Sequence, residues 1–60
     1  MKPEEIKPEA IYSDTDGYLK CVVSIKDGIV EYATIRTPKR HHCSIKTFAK
    51  WAVKEVASTF

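Results

Sequence analysis

Two Asp-Gly dipeptides, Asp16-Gly17 and Asp27-Gly28, separate three short runs rich in β-branched and aromatic residues. A two-residue primed turn needs positive φ at both central positions, which Asp-Gly tolerates, so each dipeptide is a strong local hairpin signal. Read as two such turns, they set the pairing of three strands. The second places Ile25 opposite Val30, Val23 opposite Tyr32 and Cys21 opposite Thr34. The first places Tyr12 opposite Cys21 and Ala10 opposite Val23, on the same face. Strands are therefore predicted from about Ala10 to Asp14, Tyr18 to Lys26 and Ile29 to about Arg36, with Leu19, Cys21, Val23 and Ile25 turned inward on the middle one. The outer face keeps Ile11, Val22, Ile29, Ala33 and Ile35, an apolar strip that calls for a cover or a partner.

Downstream, Thr37-Pro38-Lys39-Arg40 reads as a loop, because Pro38 has no amide to give a ladder. His41, His42 and Cys43 are expected in a short fourth strand, and Ser44 as a helix N-cap. Ile45, Phe48, Ala49, Ala52, Val53 and Val56 then fall on one stripe at helical spacing, predicting an amphipathic helix from about Ile45 to Ala57. Residues 1–9, with Pro3, Pro8 and three glutamates, read as an extended or disordered lead-in to a single small domain over residues 10–60. The expected fold is α+β: an antiparallel meander of three to four strands, strongly curved, with one C-terminal amphipathic helix packed on it. Its core is expected from Tyr12, Leu19, Cys21, Val23, Ile25, Val30, Tyr32, Ile45, Phe48, Ala49, Ala52, Val53 and Val56. Val23→Asp, a charge opposite Tyr32, is expected to unfold it.

A domain of 60 residues has room for one covered sheet face and little space for a deep cleft. No segment reaches the roughly 20 apolar residues that a membrane-spanning helix needs. The first residues lack the apolar run of a secretory signal, so the expected location is the cytoplasm, with Cys21 and Cys43 reduced. Net charge is +2, unevenly placed: residues 1–31 carry seven acids and four bases, residues 32–60 six bases and one acid. Such an imbalance points to an anionic partner or to a lysine-solvated face.

On the expected helix, Lys46, Lys50 and Lys54 recur every fourth residue along one ridge, which Lys39 and Arg40 extend. This ridge is either a solvated face or a track for nucleic-acid phosphates. Trp51 falls off the apolar stripe, between Thr47 and Glu55, and reads either as an interface anchor or as a ring folded back over the sheet edge. Tyr18 and Phe60 are similarly unplaced and could share its patch. His41, His42, Cys43 and distant Cys21 lack the paired ligand spacing of a structural zinc site, and adjacent histidines on a strand point to opposite faces. A Cys-His pair without an orienting third group makes no nucleophile, and Asp14, Asp16 and Asp27 belong to turns. No catalytic residue, metal or cofactor is expected.

The order Ile11-Tyr12-x-Asp14-x-x-Gly17-Tyr18, then Val22-Val23-x-Ile25, then Val30-x-Tyr32 and a Phe48-containing helix resembles short phage and prophage proteins of unknown function, found in lambdoid phages and enteric bacterial genomes. The pattern is also similar to small SH3-like and Tudor-like barrels. A long helix where such a barrel has its fifth strand departs from that pattern and favours a curved meander with a packed helix. The resemblance implies a bacterial host and a protein that works by binding a host or phage macromolecule.

Together these features lead to a small non-enzymatic binding module for a protein partner, with self-association through the uncovered strip included. The alternative is a nucleic-acid-binding accessory protein that uses Lys39, Arg40, Lys46, Lys50 and Lys54, with Trp51 stacking on a base.

Overall fold

The computed structural model describes residues 1–34, 36 and 39–58. Expectations for Ile35, for Thr37 and Pro38 and for Phe60 lie outside the described residues. The fold is α+β, built on five antiparallel strands rather than three or four: β1 (Ala10–Ser13), β2 (Leu19–Lys26), β3 (Ile29–Thr34), β4 (Arg40–Ser44) and β5 (Lys54–Ser58). One helix, α1 (Ile45–Trp51), lies between β4 and β5, and the sheet order is β4-β3-β2-β1-β5.

The Asp27-Gly28 turn behaves as its sequence predicts. Both residues have positive φ, 52° and 74°, and Ile25 faces Val30. Beyond Ser24 the register changes. Ser24 faces Glu31 and Val22 faces Tyr32, which leaves Val23 without an opposite residue, a β-bulge. The extra residue reverses the alternation, so Val22 takes the inward place assigned to Val23 and is 0% exposed, while Val23 is half-buried.

The first hairpin departs from expectation at its turn. Ile11 faces Cys21, Tyr12 faces Lys20 and Ser13 faces Leu19, one residue away from the two-residue-turn register. Because side chains alternate, this single step changes which face every β2 residue shares with Tyr12. Lys20 and Val22 thus stand on the Tyr12 face, and Leu19 and Cys21 on the other. Neither Leu19, Cys21 nor Val23 belongs to the core.

The core is Tyr12, Val22 and Val30 on the sheet, Ala10 beside them, Phe48, Ala49 and Ala52 above, and Ile6 from the lead-in. Ile25, Tyr32 and Ile45 pack against it as half-buried neighbours. Phe48 is its hub: its ring meets Tyr12 edge-on at 5.7 Å, Tyr32 at 5.5 Å and Trp51 at 5.4 Å. The lead-in holds a 3-10 turn at Pro3–Glu5, and the buried Tyr12 hydroxyl accepts from Lys7 N–H at 2.8 Å and donates to Glu5 C=O at 3.2 Å. Burial raises the Tyr12 pKa above the ordinary tyrosine value, the Lys7 bond opposing it.

Ser44 caps α1 as expected, its hydroxyl accepting from Thr47 N–H at 3.2 Å. The helix is also tied to the second turn, Ile45 N–H donating to Gly28 C=O at 2.8 Å. It ends at Trp51, not at Ala57. Ala52 N–H still reaches Phe48 C=O at 2.9 Å, but Ala52 is extended, and Val53 N–H donates to Ser13 C=O at 2.8 Å. From there the β-branched Val53 and Val56, which fit strands better than helices, run beside β1. The apolar stripe is thereby cut after Ala52: Val53 and Val56 are 55% and 48% exposed. The Met1 ammonium closes the helix end, donating to Ala49 and Ala52 C=O at 3.0 and 2.9 Å.

Candidate binding groove

One carboxylate organises the region around Trp51. Asp14 directly follows β1, and its Oδ1 accepts the N–H groups of Asp16 and Tyr18, both at 2.9 Å. Gly17 N–H donates to Asp14 C=O at 3.3 Å and Asp14 N–H to Tyr18 C=O at 3.2 Å, with Gly17 at φ 87°. This side-chain-centred turn is what displaces the two-residue hairpin. The second oxygen, Oδ2, accepts the Trp51 indole N–H at 3.1 Å. A single acid thus positions Tyr18 in the loop and Trp51 at the end of α1.

Between these two rings lies a groove of about 430 Å³, walled by Tyr18, Leu19, Lys20, Thr34, Arg36 and Trp51. Its cations are arranged against aromatic faces. Lys20 Nζ is 4.1 Å from the Trp51 ring centroid and 4.8 Å from that of Tyr32, and the Arg36 guanidinium is 5.8 Å from the Tyr18 ring. Tyr18 is 57% exposed, whereas Trp51 is half-buried on Phe48. Trp51 therefore serves both as a packed residue and as a groove wall.

The other residues singled out from sequence are spread over the molecule. Lys46 and Lys50 are exposed on α1. Lys54 is not on the helix but begins β5, so the ridge of three is broken where the helix ends. Lys39 precedes β4 and Arg40 begins it, no longer a loop residue, with Arg40 Nη1 paired to Glu31 Oε2 at 3.5 Å. His42 lies 4.0 Å from the same carboxylate, and His41 stacks on Tyr32 at 5.6 Å. Cys43 faces Val30 and Cys21 faces Ala33, on opposite sides of the sheet, and both thiols are free. Burial raises the Cys43 pKa, with the Lys20 charge and a backbone bond at Phe48 opposing it. At neutral pH Cys43 is a thiol, a poor nucleophile and metal ligand. Among the described residues no group of three or more His, Cys, Asp or Glu side chains is placed to hold a metal ion.

Sequence reasoning missed Lys20 and Arg36 as groove residues. It placed Lys20 on the outer face through the one-residue register error. The available signal was Asp14 itself, an acid two residues ahead of an Asp-Gly, able to capture the turn's amides. No helix among the described residues is long and apolar enough to cross a membrane. Comparison with protein-family models, curated proteins and solved structures finds no match for this chain.

Proposed function

We propose that the chain is a small non-enzymatic binding module that holds a segment of a protein partner in the groove beside Trp51. The observation that carries this reading is the double use of Asp14: a built loop fixes an exposed tyrosine and a tryptophan edge around an open, largely apolar groove. The strand order β4-β3-β2-β1-β5, with the short helix α1 between β4 and β5, supports an SH3-like reading of the architecture. A phage or prophage accessory role in a bacterial cytoplasm rests on the sequence resemblance alone. Self-association belongs to the same proposal, supported by the exposed Val53 and Val56 at the β5 edge.

Geometry favours protein over nucleic acid at this groove. Lys20 Nζ sits over the Trp51 ring and the Arg36 guanidinium stands beside the Tyr18 ring, where each competes with a stacking base, and the Lys46–Lys50–Lys54 track is interrupted. The test is to pan a random peptide library against the folded protein. Enriched peptides are expected to bind the wild type and to lose binding in Tyr18→Ala, a substitution at an exposed side chain. Enrichment of nothing, or binding indifferent to Tyr18 and Trp51, would remove the groove from the proposal.

A further inference from the structure

The charge arrangement inside the groove selects among peptide ligands. Lys20 lies against the Trp51 and Tyr32 rings and Arg36 against Tyr18, and both cations line the groove, where a ring quadrupole attracts a cation but accepts none of its N–H hydrogens as a carboxylate would. Among the described residues the ion pairs join Arg40 and His42 to Glu31, and neither Lys20 nor Arg36 takes part in one. The acid in the wall is already engaged: Asp14 Oδ1 holds two amides and Oδ2 the indole N–H. Two cations held by rings thus flank the exposed Tyr18 ring and the edge of Trp51.

We propose that this groove takes an acidic peptide segment, with a carboxylate meeting Lys20 and Arg36 and a neighbouring apolar side chain lying against Tyr18 and Trp51. The proposal rests on the binding-module reading and names its ligand chemistry. A carboxylate suits the site because the rings hold both cations in place, which lowers the entropy cost of pairing two long side chains. The groove volume suits one or two side chains. A nucleic-acid strand, by contrast, depends on several phosphate contacts and free stacking faces.

The experiment uses Trp51, the single tryptophan, as a reporter in the full chain. An acetylated, amidated pentapeptide with four glutamates around one leucine is titrated by fluorescence and by NMR shifts at moderate salt. Its all-glutamine counterpart and an oligothymidylate are titrated alongside. Expected is saturable binding of the glutamate peptide, about tenfold weaker for the glutamine peptide and about threefold weaker in Lys20→Gln, with NMR shifts at Tyr18 and Trp51. Arg36→Gln, at an exposed position, provides a second charge deletion should Lys20→Gln disturb the fold. Equal binding of both peptides overturns the acidic preference and leaves the peptide groove standing. Tighter, steeply salt-dependent binding of the oligothymidylate overturns both. No response to the glutamate peptide, with library-selected peptides still binding, overturns the acidic ligand alone.

Discussion

The same dipeptide, Asp-Gly, makes two different structures in this chain. At Asp27-Gly28 both residues adopt positive φ and a two-residue turn joins β2 to β3. At Asp16-Gly17 only the glycine does, and the link between β1 and β2 spans residues 14–18. The difference lies two residues upstream. Position 25 is Ile25, which has nothing to offer a turn amide, whereas position 14 is Asp14, whose carboxylate takes the N–H groups of Asp16 and Tyr18. A local side-chain acceptor outcompetes the backbone preference of the dipeptide, and the register of a whole strand follows from it.

The largest test of this contrast is on β2, where the two hairpins meet. Val22→Asp is expected to unfold the domain, since it places a charge at a fully buried site, at a cost of about 4 kcal/mol or more. Val23→Asp, at the half-buried bulge, is expected to stay folded, the reverse of what a two-residue first turn predicts. Dispersed NMR spectra for Val22→Asp would show that the bulge is misplaced.

Next comes Asp14→Ala, which removes the acceptor for three N–H groups. A loss of about 2–3 kcal/mol in urea unfolding is expected, together with a red-shifted Trp51 emission as the indole loses its anchor. An unchanged emission would separate Trp51 from the loop.

Alkaline pH acts on both hairpins. Folded Tyr12, Tyr32 and Cys43 all have raised pKa values, chiefly from burial, so the protein binds protons that the unfolded chain has released. The stability these groups contribute is complete below their unfolded values and is lost as pH climbs through the folded ones, beginning near 9.0 with Cys43. Urea midpoints should therefore fall above that pH. Cys43→Ala should remove the earliest part of the fall, and Tyr12→Phe a later part.

The smallest effects are at the turns. Asp27→Gly is expected to be near neutral, because it relieves a left-handed aspartate while loosening the unfolded chain. Asp16→Gly has no strain to relieve and should cost about 0.5–1 kcal/mol. Equal thermal shifts for the two would erase the distinction between the turns.

Much of this was legible because it depends on near neighbours. The Asp27-Gly28 turn, the inward Tyr12 and Val30, the Ser44 cap and the buried Phe48, Ala49 and Ala52 follow from local pattern. Three things did not. The Val23 bulge leaves no mark in the alternation, since Val22 and Val23 are the same residue and either fits inside. The Asp14 turn requires weighing a side-chain acceptor against a backbone preference. The end of α1 at Trp51 depends on Ser13 accepting the Val53 amide, a partner forty residues away. In the groove, Trp51 and Tyr18 stood out as unplaced aromatics, but Lys20 and Arg36 join them only once the register is known.

The pairing of β1 with β5 has a mechanical consequence. Ala10 lies opposite Ser58, so the chain enters and leaves the sheet at the same end of one antiparallel ladder. Tension applied at those two residues peels the ladder bond by bond instead of shearing all of its bonds at once. The same pair joins the most distant strands in the chain, so its closure carries the largest loop entropy and comes late in folding, after the contiguous β2–β3–β4 meander. A chain pulled at Ala10 and Ser58 would open first where it closed last.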